Sequence, residues 1–322
     1  MLRFVFRRLA SAILLLYLVL TTTFFFIQAV PGEPERLYEN PRISEEATSR
    51  IRAAYGLDRP VHEQYFRWLG SVLQGDWGTS FSAGRPVFQV LSQRLPATVV
   101  LVLAGVGIEL GAGFLLAVAA VRSPGGRFDR AARWFSVLFY STPVFVVGIV
   151  LIEVFAVQIP IFPAQQMMSA DAASKGLVGK TLDLLSHLAL PALALGLVRC
   201  GPTLRFLRNS LLEVLDRDYI RTARTKGLSE SRVLWFHAVP NAVAPIIQRL
   251  GVSLPLLLSS TLVLEIVFSW PGLGTAIYSA IFQRDYPVVL ATTAMSAVLV
   301  VAGSLAADLA HAWVDPRIRD RV

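Results

Sequence analysis

Long apolar stretches alternate with polar, arginine-rich stretches along this chain. A helix needs about 20 apolar residues to cross the hydrocarbon core of a bilayer, and six stretches reach that length. We therefore predict an all-α polytopic membrane protein with six transmembrane helices. The predicted crossings cover residues 9–30, 95–121, 133–158, 186–208, 241–269 and 288–314. Prolines interrupt the fourth stretch, but a bundle tolerates them where neighbouring groups satisfy the freed backbone.

The polar stretches divide the chain into four predicted regions. The first is an N-terminal transmembrane helix, whose apolar run exceeds the roughly 7–15 residues of the apolar core of a signal peptide, so we expect it to stay attached. An extracytoplasmic insertion follows, then a core of five helices, and finally a short cytoplasmic tail. In chain order these regions cover residues 1–30, 31–94, 95–314 and 315–322.

Within the insertion, apolar spacing predicts two amphipathic helices. One runs from Ile43 to Tyr55 and the other from Val61 to Gln74, and a turn follows at Gly75–Ser80. About 60 residues without cysteine make only a small core. We therefore expect the insertion to lean on the membrane helices.

The polar residues 209–240, here called the 209–240 loop, are too charged to cross a bilayer but are strongly patterned. Apolar residues recur at three- and four-residue spacing, which predicts one buried face of a helix. That face consists of Leu211, Leu212, Leu215, Tyr219, Ile220 and Ala223. Gly227 is predicted to end this helix, because a residue without Cβ readily adopts the left-handed conformation that reverses the chain.

A second short helix is predicted after Gly227, with Ser229 as its cap and Pro240 at its end. Its apolar residues are Val233, Leu234, Trp235 and Phe236. Two helices joined by a glycine form a rigid protrusion, which suits a protein that another protein must push. The alternative is an amphipathic connector that lies on lipid headgroups.

The arginines predict the orientation of the crossings. They cluster before the first crossing, between the second and third, in the 209–240 loop and at the C-terminus. With six crossings all four clusters fall on one side, which is therefore cytoplasmic and carries both termini. The net charge of +8 is explained by this topology and requires no nucleic-acid partner.

The 209–240 loop resembles the coupling loop of permease subunits in ATP-binding-cassette importers. The family pattern is Glu-Ala-Ala, three residues, Gly, nine residues, an apolar residue, any residue and Leu-Pro. Ala223, Gly227 and Pro240 match it, whereas Arg221 and Thr222 replace its first two residues and a histidine holds its apolar position. The resemblance implies that a separate ATPase contacts this loop. The residues implied in that contact are Arg221, Thr222, Ala223, Arg224, Gly227 and Pro240.

Motifs elsewhere are similar to one branch of this family, which imports dipeptides, oligopeptides, nickel complexes or glutathione. The chain resembles the subunit of that branch with the larger outer insertion after its first helix. The motifs are Tyr55–Pro60, Gln64-Tyr65, Trp68-Leu69, Gly75–Ser80, Phe268–Gly274 and Arg284–Pro287. The resemblance implies a peptide permease that forms half of a translocation pathway, with nickel complexes or glutathione as alternative substrates.

The same resemblance implies the partners and the location of the chain. The partners are a second, non-identical permease, two ATPase domains or subunits, an extracytoplasmic substrate-binding protein and the lipid bilayer. ATP and Mg are expected on the ATPase subunits, and this chain is expected to carry no cofactor of its own. The expected location is the inner membrane of a bacterium or archaeon.

Carboxylates within predicted crossings are the candidate pathway residues. An intramembrane carboxylate costs about 2.5–3.5 kcal/mol on insertion scales, so it is expected to face the bundle or water. Glu109, Glu153 and Glu265 are the candidates for a polar lining that meets a charged substrate. The alternative for each is hydrogen bonding between helices or proximity to headgroups, with Arg249 as a possible partner.

Nothing in the sequence predicts catalysis or a metal site. Cys200 is the only cysteine and there are four scattered histidines, which excludes an intrachain disulfide and a cysteine-based zinc site. The stretch Ser174–Thr181 nearly matches a phosphate-binding loop, but no strand is predicted before it, and a flexible loop is the better interpretation. An ion-coupled secondary transporter remains the competing function, although such proteins usually carry internal repeats that we do not find here.

Overall fold

The computed structural model describes residues 2–29, 58–243, 246 and 260–314 of the chain. These residues are almost entirely helical, and β pairing among them is confined to a single bridge between Thr79 and Pro86. The prediction of an all-α membrane protein is confirmed.

The helices are numbered here in chain order. They are α1 Leu2–Ala29, α2 Val61–Leu73, α3 Val87–Val121, α4 Arg127–Ser141, α5 Val144–Ile152, α6 Leu177–Leu215, α7 Asp218–Thr225, α8 Glu230–Arg232, α9 at residues 260–267, α10 Leu273–Phe282 and α11 Tyr286–Val314. Short π-helices extend α5 over Glu153–Gln158 and α8 over Val233–Ala238.

Within the described ranges, four helical segments are long and apolar enough to cross a membrane. They are Arg8–Ala29, Val87–Val121, Leu177–Leu215 and Tyr286–Ala307. They correspond to the predicted first, second, fourth and sixth crossings. The fourth continues without a break through Pro191 and Pro202, as expected for prolines whose freed backbone groups are satisfied inside a bundle.

The third predicted crossing, 133–158, is not one continuous helix. It consists of α4 and α5 with its π-helical extension, which are bent by 103° at the break between them. The break lies at Thr142-Pro143, where Thr142 has an extended backbone with φ −91° and ψ 128°. Proline disfavours a helical conformation in the residue before it, which explains why the helix ends there.

Several predictions fall outside the described residues. These are the helix from Ile43 to Tyr55, most of the fifth crossing at 241–269, the tail at 315–322 and the possible partner Arg249. The predicted helix from Val61 to Gln74 is present as α2, and the turn predicted at Gly75–Ser80 contains two glycines with positive φ.

Along the chain, the structure divides into two compact units. One comprises Ala97–Pro271 and Ala302–Val322, and the other Leu2–Pro96 and Gly272–Val301. They are called here the large unit and the small unit.

In the large unit, α3 and α6 pack closely and run in the same direction. A Cβ added to Gly105 would lie 2.4 Å from Leu195 Cδ2, and one added to Gly113 would lie 2.9 Å from Thr203 Cγ2. The second contact lies eight residues after the first on both helices, so the helices are parallel. The chain must return between them, and the bent pair α4–α5 provides that return.

In the small unit, two segments from distant parts of the sequence meet at a buried carboxylate. Asp285 is fully buried, and its Oδ2 accepts hydrogen bonds from Ser80 Oγ at 2.6 Å and Ser82 Oγ at 2.7 Å. Elsewhere in this unit, Tyr65 of α2 shares a 2.7 Å hydrogen bond with Thr21 of α1. The motifs around Tyr65, Ser80 and Asp285 therefore hold this unit together.

Candidate functional site

The first seven residues of the 209–240 loop belong to α6, which ends at Leu215. Residues Asp216 and Arg217 break the helix, and Arg217 has an extended backbone with φ −70° and ψ 148° before α7 starts. The prediction of one helix from Leu211 to Ala223 was therefore wrong, because this break resets the helical phase.

The reset changes which side chains are buried. Ile220 is fully buried, whereas the neighbouring Tyr219 is 46% exposed. The sequence placed both on the buried face. Leu211 and Ala223 are buried as predicted, and Leu215 is partly buried.

Gly227 reverses the chain after α7, as the sequence predicted. Its φ is +80°, in the left-handed region. The Gly227 N–H donates to Arg224 O at 2.9 Å, and the Leu228 N–H donates to Ala223 O at 3.4 Å. These bonds satisfy carbonyls at the end of α7, in the manner of a glycine cap.

The helical stretch after the turn is longer than predicted. Ser229 has the extended backbone of an N-cap, but its side chain makes no capping hydrogen bond. Pro240 does not end the helix, because residues 239–243 remain helical. The π-helical turn just before Pro240 changes the local backbone pairing, and such turns accommodate irregular positions inside helices. The predicted end at Pro240 was therefore wrong.

The loop has two arms, α7 before Gly227 and the helical residues 230–243 after it, here called the second arm, and they share a small apolar core. Ile220 and Ala223 from α7 pack with Val233 from the second arm, and Leu215 and Leu228 cover them. Leu215 also packs against a larger cluster in which α3, α4, α6 and the second arm meet. Dense protein interiors are barely compressible, so this packing would pass any displacement of the loop on to these helices.

Charged side chains reinforce this geometry on the exposed surface. Arg224 donates from Nε to Glu230 Oε1 at 2.8 Å and therefore bridges the Gly227 turn. Arg221 donates to Asp216 Oδ1 at 3.0 Å, across the break that precedes α7. Individual surface ion pairs stabilise by only about 0–1 kcal/mol, so these contacts orient side chains more than they stabilise the loop.

The exposed surface of the loop is mostly polar and carries charges of both signs, although Tyr219, Trp235 and Phe236 are exposed as well. Arg221, Thr222, Arg224 and Gly227 are exposed, whereas Ala223 is turned inward to the core. In the described part of the chain, no group of histidine, cysteine and carboxylate side chains could hold a metal ion.

The three candidate pathway carboxylates have different surroundings. Glu109 is 3% exposed and accepts a hydrogen bond from Thr203 Oγ1 at 2.8 Å. Glu265 is fully buried and accepts one from Thr98 Oγ1 at 2.6 Å. Glu153, in the π-helical turn after α5, is exposed and accepts a bond from Gln158. The structure does not bring the three together at one point.

Sequence reasoning missed a polar cluster in the connection before α6. Asp183 accepts hydrogen bonds from Ser169 Oγ at 2.6 Å and from Lys175 Nζ at 2.7 Å. The hydrogen bond to Asp183 raises the pKa of Lys175 above its usual value. This stretch was predicted to be a flexible loop, but Lys175 is anchored and α6 begins at Leu177.

A buried ion pair between Asp129 of α4 and Arg208 of α6 was also missed. The two residues are 79 positions apart, so no local pattern reveals the contact. The available signal was a single carboxylate among the arginines of the connection between the second and third crossings.

Two family models match the chain. The model of the binding-protein-dependent transport system inner membrane component matches residues 109–320, and the model of its N-terminal membrane component matches residues 1–102. The match includes the whole 209–240 loop.

Curated relatives align along the full length of the chain. The oligopeptide transport system permease protein AppB of Bacillus subtilis is 37% identical over 98% of both chains. The dipeptide transport system permease protein DppB of Escherichia coli is 34% identical over 100% of both, and the glutathione transport system permease protein GsiC of Salmonella paratyphi A is 33% identical over 99% of both. The chain therefore belongs to the family of binding-protein-dependent transport system inner membrane components, which are membrane permeases.

Proposed function

We propose that this chain is one permease subunit of an ATP-binding-cassette importer for peptides and forms half of its translocation pathway. The observation that carries the proposal is the 209–240 loop, whose apolar core is continuous with the packing of α3, α4 and α6. A loop built in this way transmits force, whereas an amphipathic connector lying on lipid requires no such core. The peptide substrate is taken from the names of the oligopeptide and dipeptide relatives.

The partners follow from this function. A second, non-identical permease supplies the other half of the pathway, and an extracytoplasmic binding protein delivers the substrate. Two ATPase domains or subunits bind ATP and Mg and hydrolyse the nucleotide, since this chain serves as a non-catalytic membrane subunit.

In this proposal the exposed residues Arg221, Thr222 and Arg224 contact the ATPase directly, and Gly227 sets their direction. Ala223 contributes from inside the loop, because it is buried in the apolar core. Pro240 belongs to the arm that leads back toward the membrane. The intramembrane carboxylates Glu109, Glu153 and Glu265 are kept as candidate pathway residues.

The proposed orientation places both termini and the 209–240 loop in the cytoplasm, and residues 31–94 outside. The arginine clusters support it, because short cytoplasmic connections carry an excess of positive charge. We expect single cysteines at exposed positions within residues 58–94, on a Cys200→Ala background, to react with an impermeant maleimide applied to whole cells. A cysteine replacing Ser210 is expected to react only after the membrane is opened. Labelling of that cysteine in intact cells would contradict the orientation.

Crosslinking to the ATPase tests the proposed function. A cysteine replacing the exposed Thr225 is expected to crosslink to cysteines placed along the docking groove of the partner ATPase in the assembled complex. A cysteine replacing the exposed Asp76, in the small unit, is the control and is expected to give no crosslink. If neither Thr225 nor Ser229 yields a crosslink in an actively importing complex, the coupling role of the loop is wrong.

Two transport assays separate the remaining alternatives. In proteoliposomes that contain the partner subunits, import is expected to require ATP on the ATPase side. Import driven by an imposed ion gradient without ATP would support a secondary transporter instead. Competition among peptides, glutathione and nickel complexes then identifies the substrate class.

A further inference from the structure

Asp129, in the first turn of α4, is fully buried and forms a bidentate ion pair with Arg208 of α6. Arg208 Nε donates to Asp129 Oδ1 at 2.5 Å, and Nη2 donates to Oδ2 at 2.7 Å. The Gly125 N–H donates to the same Oδ2 at 2.8 Å. One carboxylate therefore joins α4, the turn that precedes it and α6.

The form of this contact favours a positioning role over a stabilising one. A buried ion pair usually contributes little net stability compared with apolar residues of the same size, because both charges lose their hydration. The planar fork of an arginine side chain, however, fixes the direction of a carboxylate. The pair therefore holds two helices in one mutual orientation.

A second contact prevents α4 from turning about this pair. Ser136 Oγ donates to Gly201 O at 2.8 Å, and a Cβ added to Gly201 would lie 2.6 Å from Ser136 O. Asp129 contacts Arg208, and Ser136, later in α4, contacts Gly201, earlier in α6. The two helices are therefore antiparallel. They are joined at two points about two turns apart.

Arg208 is close to the end of α6 that leads into the 209–240 loop. It lies seven residues before Leu215 in an unbroken helix, which is about 10 Å at 1.5 Å per residue. Leu211, between them, belongs to the same core as Leu234 and Ala238 of the second arm. A displacement of the loop therefore reaches Arg208 through continuous packing.

We propose that Asp129 and Arg208 form a positioning pair that makes α4 follow the loop end of α6. The pair thereby carries the displacement of the loop to the 103° bend between α4 and α5. This role of the pair rests on the proposed function of the 209–240 loop, because the pair can act only if an ATPase moves the loop. Neither side chain is proposed to touch the substrate or the ATPase.

The test compares Asp129→Asn, Arg208→Gln and the double variant in proteoliposomes with the partner subunits and the binding protein. The measured quantity is the amount of radiolabelled trialanine imported per ATP hydrolysed. Each single change is expected to lower this ratio at least tenfold. The double variant is expected to import no less per ATP hydrolysed than either single variant, since all three lose the same Asp129–Arg208 contact. Arg130→Gln, which alters an exposed arginine one residue from Asp129, is the control and is expected to keep the original ratio.

Arg208→Lys is a second test, useful if the protein does not fold after losing one charge of the buried pair. It keeps the positive charge but loses the fork, so an intermediate ratio is expected. An unchanged ratio in Asp129→Asn and Arg208→Lys, or effects that multiply in the double variant, would overturn the proposal. The Thr225 crosslink is measured in parallel. Its absence in the otherwise unaltered chain would count against the function of the loop, whereas its presence with an unchanged ratio would count only against the pair.

Discussion

Replacing Gly227 with valine is expected to reduce peptide import at least tenfold while the chain stays folded in the membrane. The φ of Gly227 is +80°, and a β-branched residue in that conformation is strained by about 1–3 kcal/mol. A Cβ at this position would meet no atom within 4 Å, so the cost arises from the backbone and not from a collision. The turn is expected to relax into another conformation and to misdirect α7. Import and ATP hydrolysis in proteoliposomes measure the effect.

Gly227→Asn is the matched control. Asparagine tolerates the left-handed region better than other residues with a side chain, and the space around Gly227 is open. This variant is therefore expected to retain most of the import. Equal import by the valine and asparagine variants would show that the conformation of Gly227 does not direct the loop.

Ile220→Ser is expected to unfold the tip of the 209–240 loop. Ile220 is fully buried in the small core of the loop, and truncation of a buried isoleucine costs about 2–5 kcal/mol. A small element that loses this packing opens locally before the rest of the protein unfolds. Trypsin cleavage after Arg221, Arg224 or Lys226 in membrane vesicles is expected to become at least tenfold faster, since each 1.4 kcal/mol changes the opening equilibrium about tenfold.

Tyr219→Ser provides a direct comparison at the neighbouring position. Tyr219 is 46% exposed, so its truncation is expected to change the cleavage rate by less than a factor of three. Similar acceleration in both variants would mean that α7 does not have the buried face described above.

This pair of residues also shows what helical spacing predicts and where it stops. The spacing correctly placed Leu211, Leu215 and Ala223 toward the core. It placed Tyr219 wrongly, because the two-residue break at Asp216-Arg217 changes the phase of the helix. Ion pairs join side chains across that break, and a hydrophobic pattern carries no information about them.

Long-range polar contacts were the larger omission. Hydrophobic patterns predict the helices and the order of the membrane crossings, but they do not reveal which helices touch. The Asp129–Arg208 contact depends on the antiparallel packing of α4 along α6, which joins residues far apart in the sequence. The resemblance to a family identified motifs, and the structure gives some of them a physical role. Trp270, in the motif Phe268–Gly274, is fully buried and donates from Nε1 to Ala97 O at 2.8 Å.

The close packing of α3 against α6 restricts the motions that are available to a transport cycle. Where an added methyl group at Gly105 or Gly113 would collide with the facing helix, the helices have no clearance in which to rotate against each other. Sliding would also force the bulk of Leu195 and Thr203 past the neighbouring turns. We therefore expect the two helices to move together during transport. Larger helix movements are then expected at other helix contacts, and we expect substitutions that loosen the α3–α6 contact to add a leak without adding a useful open state.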